Sequence, residues 1–505
     1  MQIEPQAPAF AKRYARGEAQ VVWTTLVSDL ETPVSAFLKI AGGRPMSFLL
    51  ESVEGGAVRG RYSIIGLDPD LVWRTVNGSA EINRRARHTR DGFTPCNEAP
   101  LQALRALIAE SRIELPEPLP PMAAGIFGYL GYDMVRQMEE LPQPNPDPIG
   151  IPDAVLLRPT IVVVFDAVKD TITVVTPVRP ESDVSADTAF TRAGDRLSAI
   201  VDALDQPLAH SPPNVKAGPV TVWPSSNTTP AEYERMVNAA KEYIAAGDVF
   251  QVVLSQRFEA PFELPPFSLY RALRRVNPAP FLYFLDFDGF SIAGSSPEIL
   301  VRVREGTVTI RPLAGTRPRG TTPQQDKALE AELLADEKER AEHLMLLDLG
   351  RNDVGRVSRV ASVKVTDRFF IERFSQVMHI VSNVEGTLDT KYDALDALSA
   401  GFPAGTVSGA PKVRAMEIID ELEKDKRGLY AGSVGYFSAA GELDSCIVLR
   451  TALIKNGTMY VQAGAGIVAD SNPKSEQQEC VDKAKALFRA AEEAKRFASS
   501  ARRGQ

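Results

Sequence analysis

Short, strand-like, largely apolar runs dominate the second half of the chain, set off by polar turn pairs: LYFLDF (282–287), SIAGSS (291–296), ILVRVR (299–304), TVTIRPL (307–313), CIVLRTALI (446–454) and MYVQAGAG (459–466). They predict strands joined at Asp288-Gly289, Glu305-Gly306 and Asn456-Gly457. The last pair is a strong hairpin signal, because both residues tolerate a left-handed backbone. In the first half, LLRPTIVVVFDAV and TITVVTPV flank Lys169-Asp170 as a further hairpin. Helices are predicted near 101–111 and 186–204, and in DEKERAEHLMLLDLGRND (336–353), where Ala341, Leu344, Met345 and Leu347 would supply the buried surface. Helices interleaved with hairpins, with no repeat of fixed period, predict an α/β fold of the α+β type. Mainly antiparallel sheets would stack and be covered by helices.

Pro207, Pro212, Pro213, Pro219, Pro224 and Pro230 crowd the middle of the chain and place a boundary near residue 220, between a region 1–220 and a region 221–505. The 505 residues, 44% of them hydrophobic, suffice for one very large core or two domains. A net charge of -8 leaves no basic footprint for nucleic acid. No segment approaches the roughly 20 apolar residues of a membrane span, and MQIEPQAPAFAKRYARGEAQ lacks the apolar run of a signal peptide. Three scattered cysteines, Cys96, Cys446 and Cys480, make no disulfide framework and point to a reducing cytoplasm. The mixed-charge stretch 483–503 reads as a helix fraying into a tail.

The segment QAGAGIVADSNPKSEQQECVDKAK (462–485) concentrates the chemistry. Gly464, Ala465 and Gly466 read as a glycine-lined turn whose N–H groups would cup an anion. On the helix that follows, Glu476, Glu479 and Lys483 share one face, along the edge of an apolar stripe of Cys480, Ala484 and Leu487. Glu339 and Glu342 sit three apart on the earlier helix. Carboxylates beside a core need a cation, and one from each helix, completed by waters and a substrate oxygen, would suit Mg2+. Plainer readings stand beside these. Asn472 or Ser475 with Pro473 would simply cap a helix, and Glu339 and Glu342 would lie on a solvated face. His379 in VMHIV would be a satisfied core histidine and Arg450 a strand end after CIVLR. Glu298 in SSPEIL would be a capping carboxylate and LLES the end of a buried strand.

Nine runs in one order carry a resemblance: GDVFQVVLSQRF (247–258), AGSSPEIL (293–300), IRPLAGTRPRG (310–320), AEHLMLLDLGRND (341–353), FSQVMHIVS (374–382), PAGTVSGAPKVRAMEII (403–419), GLYAGSVGYFS (428–438), DSCIVLRTAL (444–453) and QAGAGIV (462–468). Over roughly 215 to 490 the chain resembles the chorismate-utilising enzymes, and among them the component I family of anthranilate synthases. The resemblance implies a layered α/β/β/α sandwich. It implies Glu342 and Glu479 as Mg2+ ligands with Glu339 and Glu476 behind them, and chorismate carboxylates held by Arg450, Lys483, Tyr430 and the amides of Gly464, Ala465 and Gly466. It implies that Glu298 protonates the departing ring hydroxyl, work for a carboxylic acid kept neutral by burial. His379 and Thr406 are implied to lie against the ring and to help the second step.

Two positions separate members of that family. Those that add water resemble one another in having a lysine base where this chain has Gln251, and a neutral amide cannot serve as that base, so Gln251 points to ammonia. Aminodeoxychorismate synthases typically carry a lysine nucleophile where this chain has Ala314, whose methyl group forms no adduct. The implied reaction adds ammonia ortho to the ring carboxylate of chorismate, expels the hydroxyl and eliminates pyruvate to leave anthranilate. A synthase releasing aminodeoxyisochorismate or, against Ala314, aminodeoxychorismate is one alternative. A tryptophan-binding subunit without turnover is another. None of the cysteines, in TPCNE, DSCIV and QECVD, sits on a nucleophile elbow. The four histidines, His88, His210, His343 and His379, make a Cys-His-Glu triad improbable. The resemblance implies, as the ammonia source, a separate glutamine amidotransferase subunit (component II) in a hetero-oligomer. LLESVEGGAVRGRYSIIG (49–66) resembles the family's tryptophan-binding motif, with Glu51 and Ser52 near the inhibitor's amino group. NPAPFLYF (277–284) resembles its other wall, with Pro280, Phe281 and Leu282. Many relatives show Tyr-Met at Phe281-Leu282, which leaves L-tryptophan as the implied inhibitor and its strength in question.

Overall fold

The structure, a computed structural model, describes residues 1–54, 58–208, 224–374 and 377–498, with side chains left out at 53–54 and 58–59. The expected boundary near 220, with Pro212, Pro213, Pro219 and His210, lies outside the described residues, as do residues 375–376 of the FSQVMHIVS run and the tail 499–505.

Every strand pairing among the described residues is antiparallel, and the pairings form two sheets that share two long strands, Val58–Val76 and Ala154–Asp166. The first sheet runs Gln20–Val27, Thr171–Val178, Ala154–Asp166, Val58–Val76, Ser47–Glu54, Phe281–Phe287, Phe290–Ser296, Thr451–Lys455, Thr458–Ile467, Gln251–Pro261. The second runs from Ser79–Asn83 through the other halves of the shared strands to Gly125–Leu130, Ser433–Ser438, Leu443–Ile447, Ile299–Arg304, Thr307–Ile310 and Val377–Thr387. The shared ladder loses register beside the pair Pro69 and Pro159, neither of which has an N–H to donate. There the strands pass from one sheet to the other.

Alternation along these strands fills three large cores and two smaller ones among the described residues. On Ala154–Asp166, Val162 and Val164 lie between the sheets, while Val163 and Phe165 face the helices Ala7–Tyr14, Pro33–Ile40, Ala186–Asp205, Pro266–Val276 and Pro473–Ala494. The second sheet is covered by Pro100–Glu110, Glu337–Gly355 and Ala394–Gly401, while Lys412–Leu422 packs against Gln251–Pro261 of the first. The layers are α/β/β/α, as expected. The predicted hairpins are present: Phe287 pairs with Phe290, Arg304 with Thr307, Lys455 with Thr458 and Asp166 with Thr171. Asn456 and Gly457 both take positive φ, 51° and 73°.

Two local expectations need correction. The buried face of Glu337–Gly355 is His343, Leu346, Leu347, Gly350 and Val354, whereas Leu344 is 50% exposed and Ala341 is exposed too. Apolar residues surround this helix on all sides in LMLLDL, so packing against Leu313–Pro318 and Val377–Thr387 decides which face is buried. The run CIVLR is not one strand: pairing stops at Ile447 and resumes at Thr451 in the other sheet. The stretch from 483 stays helical to Ala494, with Leu487, Ala490, Ala491 and Ala494 buried against Pro266–Val276 and its neighbours, and then passes into the short turn Lys495–Phe497. No helix among the described residues is long and apolar enough to cross a membrane.

Candidate active site

Two crossings between the sheets carry the first pair of site residues. Pro297 and Glu298 link Phe290–Ser296 to Ile299–Arg304, and residues 448–450 link Leu443–Ile447 to Thr451–Lys455, with Arg450 at φ 48°. The crossings are tied together: the Ser296 hydroxyl donates to Ile447 O at 2.6 Å and the Ile447 N–H to Glu298 O at 3.1 Å. Glu298 is 8% exposed, and burial lifts its carboxyl to about 7. The Thr406 hydroxyl, donating to Oε2 at 2.9 Å, and the cations of Arg450 and Lys483 pull it the other way. Burial lowers the Arg450 pKa, and Glu298 opposes that. The Arg450 guanidinium has no ion pair or hydrogen bond among the described residues, which leaves its planar fork open to a carboxylate.

His379 lies on Val377–Thr387 opposite Thr316. Its Nδ1 is 2.9 Å from Gly315 O, an atom that only accepts, so Nδ1 carries the proton. Nε2 is then a bare lone pair, buried without a partner among the described residues. Burial foremost pulls this imidazole down to about 4, with Arg450 and Lys483 adding to the effect, so it is neutral at pH 7. The two cations that act on Glu298 thus act on His379 as well, which brings all of these side chains to one place.

The acidic helices meet beside it. Burial raises the Glu342 pKa, and the negative charges of Glu339 and Glu479 raise it further. Glu342 Oε1 accepts from Gln251 Nε2 at 3.2 Å. Burial and Glu479 likewise raise Glu476. Lys338 on one helix and Asp470 just before the other pair at 2.9 Å. Glu339 is held by Arg317 at 3.2 Å, and Glu479 by Lys483 at 2.7 Å. Mutually repelling, partly desolvated carboxylates fit a divalent cation. Among the described residues no three carboxylate, imidazole or thiolate side chains converge as a closed metal cage. A cation here would therefore complete its shell from water and substrate, as Mg2+ does.

Gly464, Ala465 and Gly466 form no turn. They belong to the strand Thr458–Ile467, paired with Ser255, Leu254 and Val253. Gly464 O accepts from Lys483 Nζ at 2.8 Å, so it faces away from that neighbour. Strand alternation turns the Gly464 and Gly466 N–H groups the same way, as edge donors in place of the expected concavity. Glycine is required for space here. A Cβ on Gly464 would come within 2.8 Å of the Tyr430 hydroxyl, and one on Gly466 within 2.4 Å of Gln251 Nε2. Ala465 turns its methyl into the core, and Tyr430 is buried beside Arg427.

The two stretches expected to hold tryptophan are adjacent strands, Ser52 opposite Phe281 and Glu51 opposite Leu282. With Pro280 they line a cavity of about 570 Å³ between the sheets, whose wall also includes Pro297, Glu298 and Ile299. The Glu51 carboxylate is already engaged by Arg274 at 2.6 and 2.9 Å and by Tyr270, while the Ser52 hydroxyl donates to Tyr62 O at 3.0 Å. Sequence reasoning passed over Arg427 and Glu423, a fully buried pair behind the site. Their spacing of four in ELEKDKRG is that of an ordinary surface helix pair.

The family described as chorismate binding enzyme matches residues 60–489. Anthranilate synthase component 1 of Cereibacter sphaeroides is 56% identical over 98% of this chain and 99% of its own length. That of Aquifex aeolicus is 47% identical over 93% and 94%. The crystal structure of anthranilate synthase component I from Streptococcus pneumoniae superposes with a TM-score of 0.74 at 38% identity, covering 92% of this chain and 99% of that one. The menaquinone-specific isochorismate synthase of Escherichia coli shares the fold, with a TM-score of 0.69 at 20% identity over 96% and 100%. The chain belongs to the chorismate-binding enzymes, alongside its anthranilate synthase component 1 relatives.

Proposed function

We propose that the protein is the chorismate-aminating component of an anthranilate synthase. The observation that carries this reading is Glu298, a buried carboxyl lifted to about 7, hydrogen-bonded to Thr406 and facing the cations of Arg450 and Lys483. In its acid form it gives its proton to the ring hydroxyl, which leaves as water while ammonia forms the new C–N bond. Arg450, Lys483, Tyr430 and the edge N–H groups of Gly464 and Gly466 are the donors for the substrate carboxylates. Gln251 Oε1, buried and without a partner among the described residues, is an acceptor for an ammonia N–H. In the second step the bare Nε2 of His379 takes the ring proton as the enolpyruvyl group departs, and that group becomes pyruvate by protonation at its methylene carbon. Glu342 and Glu479 would hold Mg2+, with Glu339 and Glu476 behind them, and the bound ion would supply positive charge to the ring carboxylate.

The finer reading assigns ammonia delivery to a glutamine amidotransferase subunit, in a hetero-oligomer in the cytoplasm. The component 1 naming of the relatives supports a second component. L-Tryptophan would occupy the inter-sheet cavity beside Glu51, Ser52, Pro280, Phe281 and Leu282 and inhibit. Residues 1–220 would be the regulatory region and 221–505 the catalytic one. The test is to mix the purified chain with chorismate, Mg2+ and ammonium. Blue-fluorescent anthranilate with equimolar pyruvate supports the reading; an aminated product that keeps its enolpyruvyl group, or no reaction, rejects it.

A further inference from the structure

Glu423 and Arg427, where the helix Lys412–Leu422 gives way to a loop, are 7% and 3% exposed. Arg427 Nε and Nη2 donate to the two Glu423 carboxylate oxygens at 3.0 and 2.6 Å. Further donors reach outside the pair, Nη1 to Val407 O at 2.7 Å and Nη2 to Val253 O at 2.6 Å. Glu423 Oε1 accepts the N–H and the hydroxyl of Ser255 at 2.8 and 2.9 Å. The guanidinium also lies over the rings of Tyr132 and Tyr430, 4.9 and 5.4 Å from their centroids.

All of these contacts but the one with Tyr132 end beside the candidate site. Val407 closes the short turn Gly405–Val407, whose Thr406 donates to Glu298. Val253 follows Gln251 by two residues on the same strand. Ser255 is the ladder partner of Gly464, and Tyr430 abuts Gly464. An apolar pair of similar volume often serves stability as well as a buried ion pair does. Stability alone therefore does not call for these two charges. We propose that Glu423 and Arg427 are positioning residues that fix Thr406, Gln251, Gly464 and Tyr430 relative to one another, an inference that rests on the chorismate-aminating reading. Neither residue reaches the reacting atoms.

The test compares the full-length chain with the double variant Glu423→Leu/Arg427→Met in the ammonium-dependent assay, with thermal melts alongside. The double variant is expected to melt as one cooperative unit and to lose about ten- to a hundred-fold in kcat. Its KM for chorismate should stay within about threefold of the parent's. The pH limb that reports Glu298 should move upward, because the Thr406 hydrogen bond holds that carboxyl down. Arg450, Lys483 and Tyr430, which also face Glu298, are left in place. A folded double variant with the parent's kcat and an unmoved limb overturns the proposal, as does a rate loss that only follows the folded fraction. If the double variant does not fold, Arg427→Lys is read by the same two outcomes, since it keeps the charge but lacks the fork that spans both carbonyls. A parent chain that makes no anthranilate overturns the aminating reading, and this inference with it.

Discussion

At the scale of single residues, the site is a set of charges and lone pairs whose surroundings leave them unsatisfied. Glu298 titrates near neutrality because it is buried, and in the proposed reaction its protonated form is the one that releases the hydroxyl. With rates normalised to free ammonia, kcat/KM should therefore fall as pH rises through about 7. Glu298→Gln should lower kcat by about a hundred-fold or more and erase that limb; a pH–rate series on both proteins checks this. Gly466→Ala would drive a methyl into the Gln251 amide and detach it from Glu342. Amination should drop more than tenfold while the melting temperature hardly changes, as ammonium-dependent assays and thermal melts would show. Glu298, His379, Gln251 and the four helix glutamates were legible in the motifs as candidates. Their electrostatic state was not, because desolvation depends on what closes over a side chain. For the same reason Arg427 and Glu423 were invisible: nothing in ELEKDKRG distinguishes a buried pair from a solvated one.

At the scale of elements, the signals that read true were those with a local cause. Asn456-Gly457 makes its hairpin because both residues accept positive φ, whatever surrounds them. Asn472 caps Pro473–Ala494 by accepting from the N–H groups of Lys474 and Ser475, each at 3.1 Å. Asn472→Ala should cost about 1 kcal/mol of stability. Since Glu476 and Glu479 occupy the first turns of that helix, it should also raise the Mg2+ concentration for half-maximal rate; denaturant melts and a Mg2+ titration measure the two effects. The misread elements had a non-local cause. CIVLR looks like one strand because its apolar run is unbroken, yet the chain changes sheets within it. QAGAG looks like a turn because it is glycine-rich, but the glycines make room for Tyr430 and Gln251 inside a strand.

At the scale of the molecule, strands from the first half complete both sheets of the second. Ser47–Glu54 pairs with Phe281–Phe287, and Gly125–Leu130 with Ser433–Ser438. A fragment beginning at residue 224 would expose those edges and half of the inter-sheet core. It should show no cooperative melt and bind a hydrophobic dye, whereas the intact chain should do neither; calorimetry and dye fluorescence would show it. The layering was legible because both faces of strands such as IVVVF are apolar. The sharing of sheets was not, since a proline-rich stretch in sequence does not say which strands lie side by side. The cavity between the sheets takes part of its wall from the peptide that presents the acid. Any molecule that fits it better with that peptide in one position than in another trades free energy with the substrate. Thermodynamic reciprocity then sets a quantitative condition: chorismate must loosen that molecule by the same factor by which the molecule loosens chorismate.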